Sequence, residues 1–140
     1  MNLKLQGKVA LVTGASKGIA ASLAAEGGNV VICARGRTEL DATAAEFNAA
    51  GGGQVAAVVA DVAKAEDCAR IVEDTVGRFG KLHVLVNNAA AIDNFGSYDE
   101  LSDGNWQALF GSAVAYLASE AASFITGTNL RVDGGSVASI

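Results

Sequence analysis

The sequence predicts a doubly wound α/β domain: a parallel sheet with helices on both faces. Three observations carry this. Short apolar, β-branched runs alternate with segments of helical period from the first residues onward. The strand candidates are too apolar to leave a face in water, as in parallel sheets covered on both sides. A glycine-spaced turn, Gly14-x-x-x-Gly18, falls between the first strand and the first helix.

Residues 8–13, Lys-Val-Ala-Leu-Val-Thr, form a short apolar run that stops at Gly14. Residues 17–26 suit a helix, ended by Gly27-Gly28, and 29–34 are a second β-branched run. Residues 37–50 read as a helix with Leu40, Ala44 and Phe47 on one face, closed by Gly51-Gly52-Gly53. A third strand covers 54–60. Cys68, Ile71, Val72, Thr75, Val76 and Phe79 then lie along one helical stripe that Gly80 ends. Residues 83–87 give a fourth strand. Residues 102–110 start a helix with Ser102 as N-cap, 112–119 make another, and 129–132 a last short strand. With no internal repeat and no linker tract, residues 1–140 read as a single domain.

Composition narrows the class. Of 140 residues, 51% are hydrophobic and 18% charged, which excludes a disordered chain. The net charge of -5 argues against nucleic acid or an anionic membrane as partner. Neither a signal peptide nor a run of membrane-spanning length is written, so a soluble, cytoplasmic protein is expected. Cys33 and Cys68 have no CxxC spacing, so neither a metal site nor a redox pair is expected, and both read as buried small hydrophobes. Proline is absent, where average usage would supply roughly seven.

The candidate site residues gather at the C-terminal ends of the strands, the side on which open α/β sheets bind ligands. Gly14 and Gly18, with Ser16, Lys17 and Ile19, let the backbone turn tightly and approach a pyrophosphate at the helix N-terminus. A purely structural turn is the alternative for this motif alone. Arg35 ends the second strand in the stretch Cys33-Ala34-Arg35-Gly36-Arg37, which holds no carboxylate for a ribose 2′-hydroxyl. Arg35 and Lys17 offer positive charge to a 2′-phosphate instead, so NADP(H) is expected over NAD(H). Solvated helix-entry charges are the plainer alternative for Arg35 and Arg37.

Asp61-Val62 ends the third strand, where the carboxylate can accept from an adenine amino group or simply lead the next helix. Asn87-Asn88-Ala89-Ala90 ends the fourth, with Asn88, Ala89 and Ala90 small enough for a flat cofactor to lie against the main chain. A strand-ending turn is the alternative there. His83 opens the fourth strand, away from the ligand side, and reads as a surface or packing residue. Trp106 and Phe110 read as helix packing.

Together these residues resemble the short-chain dehydrogenase/reductase family, of the NADP(H)-preferring type. The resemblance runs through Thr13-Gly14-Ala15-Ser16-Lys17-Gly18-Ile19, Asp61-Val62, Asn87-Asn88-Ala89 and Leu101-Ser102-x-x-x-Trp106. It resumes at Phe124-Ile125-Thr126-Gly127 and Val132-Asp133-Gly134-Gly135. It implies interconversion of alcohol and carbonyl groups on a small-molecule substrate by hydride transfer with NADP(H), in a homodimer or homotetramer.

Three departures from the family pattern stand out. About four residues are missing after Ile19, and Ala20 stands at the third glycine; four residues turn a helix by about 400°, so the buried face shifts by only about 40°. Ala90 replaces the glycine after Asn-Asn-Ala. After Phe110-Gly111-Ser112 the chain passes directly to a stretch resembling the family's late helix, so the segment that would carry the catalytic Ser and Tyr-x-x-x-Lys is not written. Tyr98 is followed four positions later by Ser102, and Tyr116 by Glu120, so no catalytic residue is assigned. The strand Val84-Leu85-Val86 is then expected to be an exposed apolar edge. A non-catalytic dinucleotide-binding or interaction module is the alternative function.

Overall fold

The computed structural model of the chain describes residues 3–14, 17–89, 111 and 113–128. Four strands and three helices alternate: β1 (Val9–Thr13), α1 (Lys17–Ala25), β2 (Asn29–Ala34), α2 (Arg37–Ala50), β3 (Val55–Val59), α3 (Ala65–Phe79) and β4 (Val84–Asn87). Residues 113–117 are helical, and a 3-10 turn follows at Glu120–Ala122. The expected helix at 102–110 and strand at 129–132 lie outside the described residues.

The sheet runs β3-β2-β1-β4, and every pairing is parallel. Thr13 stands opposite Cys33 on β2 and Asn87 on β4. The chain therefore winds outward from β1 to β3, then crosses back to place β4 on the other side of β1. That reversal opens a crevice at the C-terminal ends of β1 and β4, where open α/β sheets accept ligands.

Alternation along β1 divides the core in two. Ala10 and Val12 face the larger cluster, formed with Val30 and Ile32 of β2, Ile19, Ala20 and Leu23 of α1, and Leu40 and Phe47 of α2. Leu11 faces the smaller one, with Val31, Cys33, Val58 and Ile71. At nine residues α1 is too short to persist alone, and burial of Ile19, Ala20, Leu23 and Ala24 holds it. Ala20, at the position of the family's third glycine, is wholly buried, so its methyl group is accommodated. Asn48 ties α2 to β3: its Nδ2 donates to Val55 O at 2.8 Å while its Oδ1 accepts from Val55 N–H at 2.9 Å.

The apolar stripe of α3 is only partly used. Ile71 and Thr75 are buried, whereas Val72 and Val76 are 39% and 40% exposed. The reason is lateral: α3 packs chiefly against β1 and β2. For the same reason β4 alternates, with Val84 and Val86 half-buried against the larger cluster and Leu85 53% exposed. Among the described residues nothing pairs with the outer edge of β4. Gly111 is buried where the backbone meets α1, and a side chain there would overlap Gly18 O and Ser22 Oγ.

Candidate functional site

The floor of the crevice is a junction between the ends of β1 and β4. Thr13 is buried at the last position of β1, and its Oγ1 accepts from the backbone N–H of Asn88 at 3.0 Å and of Ala89 at 3.1 Å. The Thr13 hydroxyl lies 3.4 Å from Val86 O, to which it donates. Asn88 Nδ2 returns a bond to Thr13 O at 3.3 Å. One threonine thus satisfies donors 75 and 76 residues away, which fixes the main chain of the Asn-Asn-Ala segment against the first turn.

Gly14 makes this approach possible. Its φ is +78°, and a Cβ there would lie 3.0 Å from Ala89 Cα and 3.2 Å from both Ala89 N and Asn88 Nδ2. Both the left-handed backbone and the contact demand glycine. Ser16 and Ala90, named from the sequence, lie outside the described residues. Gly18 is half-buried, and Ile19 turns its side chain into the larger cluster, so it faces the crevice only through its backbone.

Lys17 opens α1 and is exposed; no acidic residue shares that first turn. A cation there opposes the helix dipole by about 0.3–1 kcal/mol, an arrangement that a bound anion would reverse. Arg35 follows β2 directly and is also exposed. Among the described residues neither has an ion-pair partner, whereas Arg37 pairs with Asp41 at 3.7 Å along α2. Arg37 is thus paired along α2, and Arg35 is a solvent-exposed charge just before that helix.

Asp61 follows β3. Its Oδ1 accepts from Ala63 N–H at 3.1 Å, and its own N–H donates to Asp67 Oδ2 at 2.7 Å. Arg70 Nη2 reaches Asp67 Oδ1 at 2.6 Å and Val59 O at 3.0 Å. The Asp61 N–H, and then Arg70, hold the Asp67 carboxyl below the ordinary aspartate range. Sequence reading missed Thr13, Asp67 and Arg70 as members of this site. An acid six residues beyond a strand-ending Asp, at a helix start, is the signal that could have found Asp67.

Beside the junction opens a cavity of about 300 Å³, walled by Thr13, Val62, Cys68, Leu85, Asn87 and Ala89 together with Leu11, Ile71 and Val72. The expectation that both cysteines are buried needs correction. Cys33 is fully buried, and that burial pushes its thiol pKa up, partly offset by the Gly14 N–H. Cys68 is half-buried because it lines this open cavity, and its Sγ lies 3.4 Å from Val62 O. Among the described residues no group of three or more His, Cys, Asp and Glu converges, and no helix is long and apolar enough to cross a membrane. His83 sits at the opposite end of the sheet, where its Nδ1 accepts from Val9 N–H at 3.0 Å. Tyr98 and Trp106 lie outside the described residues.

A doubly wound parallel sheet with its crevice at the β1/β4 reversal defines the class of protein, and comparison with known proteins specifies it further. The family model for short chain dehydrogenases matches residues 8–124. The chain belongs to the short-chain dehydrogenase family. It is 40% identical over 144 aligned positions to an uncharacterized oxidoreductase of Methylorubrum extorquens, covering 98% of this chain and 55% of that one. An 11-beta-hydroxysteroid dehydrogenase A of Sesamum indicum is 47% identical over 87 positions, covering 59% of this chain and 25% of that one. Among solved structures, an L-sorbose reductase from Gluconobacter frateurii complexed with NADPH and L-sorbose superposes with a TM-score of 0.64 at 33% identity, covering 85% of this chain and 48% of that one. A metagenomic short-chain oxidoreductase in complex with NADP gives 0.59 at 31% identity, covering 86% and 58%. The chain thus spans about half the length of relatives it matches.

Proposed function

We propose that the protein is an oxidoreductase that interconverts alcohol and carbonyl groups with NADP(H), and that residues 1–140 hold one dinucleotide-binding domain. Family membership supports the reaction class. The observation that carries the cofactor reading is the pairing of two exposed cations, Lys17 and Arg35, with the absence of any carboxylate from residues 33–37 at the end of β2. The NADPH and NADP complexes of two structural neighbours agree with it.

The residues present fit such a cofactor. Gly14 lets the Asn88-Ala89 main chain close onto the first turn, and α1 starts three residues further on. Bound there, the nicotinamide would supply the hydride. Gly14, Gly18 and the unmatched N–H groups of α1 would hold the pyrophosphate, with Ser16 and Ile19 completing the turn. Lys17 and Arg35 would bind a 2′-phosphate, Asp61 and Val62 would flank the adenine, and Asn88, Ala89 and Ala90 would back the nicotinamide. The catalytic Ser and the Tyr-x-x-x-Lys pair are assigned to a segment after about residue 110 that the written sequence omits, and a shorter omission falls after residue 19. A small carbonyl or alcohol substrate, a homodimer or homotetramer and a cytoplasmic location belong to the same proposal.

Fluorescence titration of NADPH and NADH tests the cofactor reading. NADPH is expected to bind about tenfold tighter or more, the worth of one hydrogen bond to a charged group. Arg35→Ala should bring the two affinities together. Equal affinities in the wild-type chain overturn the roles given to Arg35 and Lys17.

A further inference from the structure

The turn between β3 and α3 is fastened at three successive points by side chains from the start of α3. Arg70 Nη2 donates to Val59 O at 3.0 Å, where β3 ends. Asp67 Oδ2 accepts from Asp61 N–H at 2.7 Å, and Cys68 Sγ lies 3.4 Å from Val62 O. The Asp67–Arg70 pair, at 2.6 Å, joins the first two points. Asp67 is thus engaged outward, on the preceding turn and on Arg70. At the N-cap position Lys64 makes no side-chain cap either. An acid near a helix start ordinarily satisfies the helix's own N–H groups; this one holds the loop.

The consequence falls on Asp61. With its backbone N–H held by Asp67 and its Oδ1 accepting from Ala63 N–H at 3.1 Å, the Asp61 carboxylate is tied through one oxygen, and Oδ2 has no donor among the described residues. A charged acceptor with one free oxygen, fixed beside the crevice, is suited to a single N–H donor. Its nearest cavity neighbour in sequence, Val62, offers an apolar wall to a flat ring.

We infer that Asp67, braced by Arg70, is a positioning residue for purine recognition: it holds Asp61 so that the free carboxylate oxygen accepts the exocyclic amino group of an adenine. This rests on the dinucleotide reading above. It adds a specificity element that touches no ligand itself. Loss of Asp67 should therefore erase the distinction between a purine with a 6-amino group and one with a 6-oxo group, which a residue that merely stabilised α3 would leave intact.

The test is fluorescence titration of the full chain with NADPH and with its hypoxanthine analogue, which replaces the amino group by an oxo group. The wild-type chain is expected to prefer NADPH by about tenfold, one hydrogen bond to a charged acceptor. Asp67→Ala should reduce that ratio to within about threefold, chiefly by weakening NADPH. Asp67→Asn, which keeps an acceptor for Asp61 N–H, should restore most of it. Arg70→Ala, at a partly exposed position, supplies the same readout if Asp67→Ala does not fold. An unchanged ratio in Asp67→Ala, or in Arg70→Ala where that variant stands in, overturns the proposal and leaves the dinucleotide reading standing. Equal binding of both nucleotides by the wild-type chain overturns the role of Asp61 and this proposal with it. No binding of either nucleotide overturns the dinucleotide reading itself.

Discussion

The same substitution, glycine to alanine, should have opposite effects at Gly14 and at Gly77. At Gly14 the φ of +78° imposes the left-handed penalty of an L-residue, about 1–2 kcal/mol. The added methyl carbon would meet Ala89 Cα at 3.0 Å and Ala89 N at 3.2 Å. These are backbone atoms, and Thr13 Oγ1 holds them through the Asn88 and Ala89 N–H groups. They yield only if that junction opens, so overpacking adds about 1–3 kcal/mol. The smaller entropy of the unfolded alanine chain offsets about 0.4–1 kcal/mol. The net loss for Gly14→Ala is about 1–4.5 kcal/mol. At Gly77 a Cβ meets nothing within 4 Å, and the residue sits exposed inside α3. There alanine should add about 0.5–1 kcal/mol. Urea unfolding followed by far-ultraviolet circular dichroism measures both. A Gly14→Ala chain within about 0.5 kcal/mol of wild type would mean that Ala89 does not press on Gly14 in solution, and the junction as described would be wrong.

Two further outcomes follow from the same contacts. Thr13→Val keeps the side-chain shape but removes the acceptor shared by Asn88 and Ala89, so stability should fall by about 1–2 kcal/mol. Amide hydrogen exchange at those two residues should speed up, and unchanged protection would contradict the shared-acceptor geometry. Acid should also loosen the β3–α3 turn. The folded state holds the Asp67 carboxyl below its ordinary value, chiefly through Asp61 N–H and then through Arg70. The stabilisation is therefore complete above the unfolded pKa of about 4 and is lost as pH falls through the lower folded value. Glu120, lowered by Lys4, acts with the same sign. The thermal midpoint of Asp67→Asn should fall less steeply than that of wild type below about pH 4; parallel curves would show that Asp67 is not linked to folding.

Element identity was written locally. The 3.6-residue spacing of Leu40, Ala44 and Phe47, and the unbroken apolar run of β1, each follow from the residues that form the element. The candidate residues Gly14, Lys17, Arg35, Asp61 and Asn88 could likewise be named without knowing how the strands are ordered. What each of these residues touches was not legible, because it depends on partners far along the chain. Thr13 reads as the last residue of a strand until the β3-β2-β1-β4 order sets it beside Asn88, 75 positions on.

The α3 stripe makes the same point from the other side. Helical period placed Val72, Val76 and Cys68 with Ile71, and the period cannot say how wide a surface waits opposite. Since α3 packs chiefly over β1 and β2, Ile71 and Thr75 are buried, while Val72 and Cys68 border an open cavity and Val76 is exposed. Burial is a property of two surfaces in contact, and a sequence displays one of them at a time. The sequence by itself determined the class of fold and, among the described residues, the four strands and three helices. The tertiary structure decided which backbone groups Thr13 and Asp67 hold, because a hydrogen bond forms only where folding has brought donor and acceptor within about 3 Å.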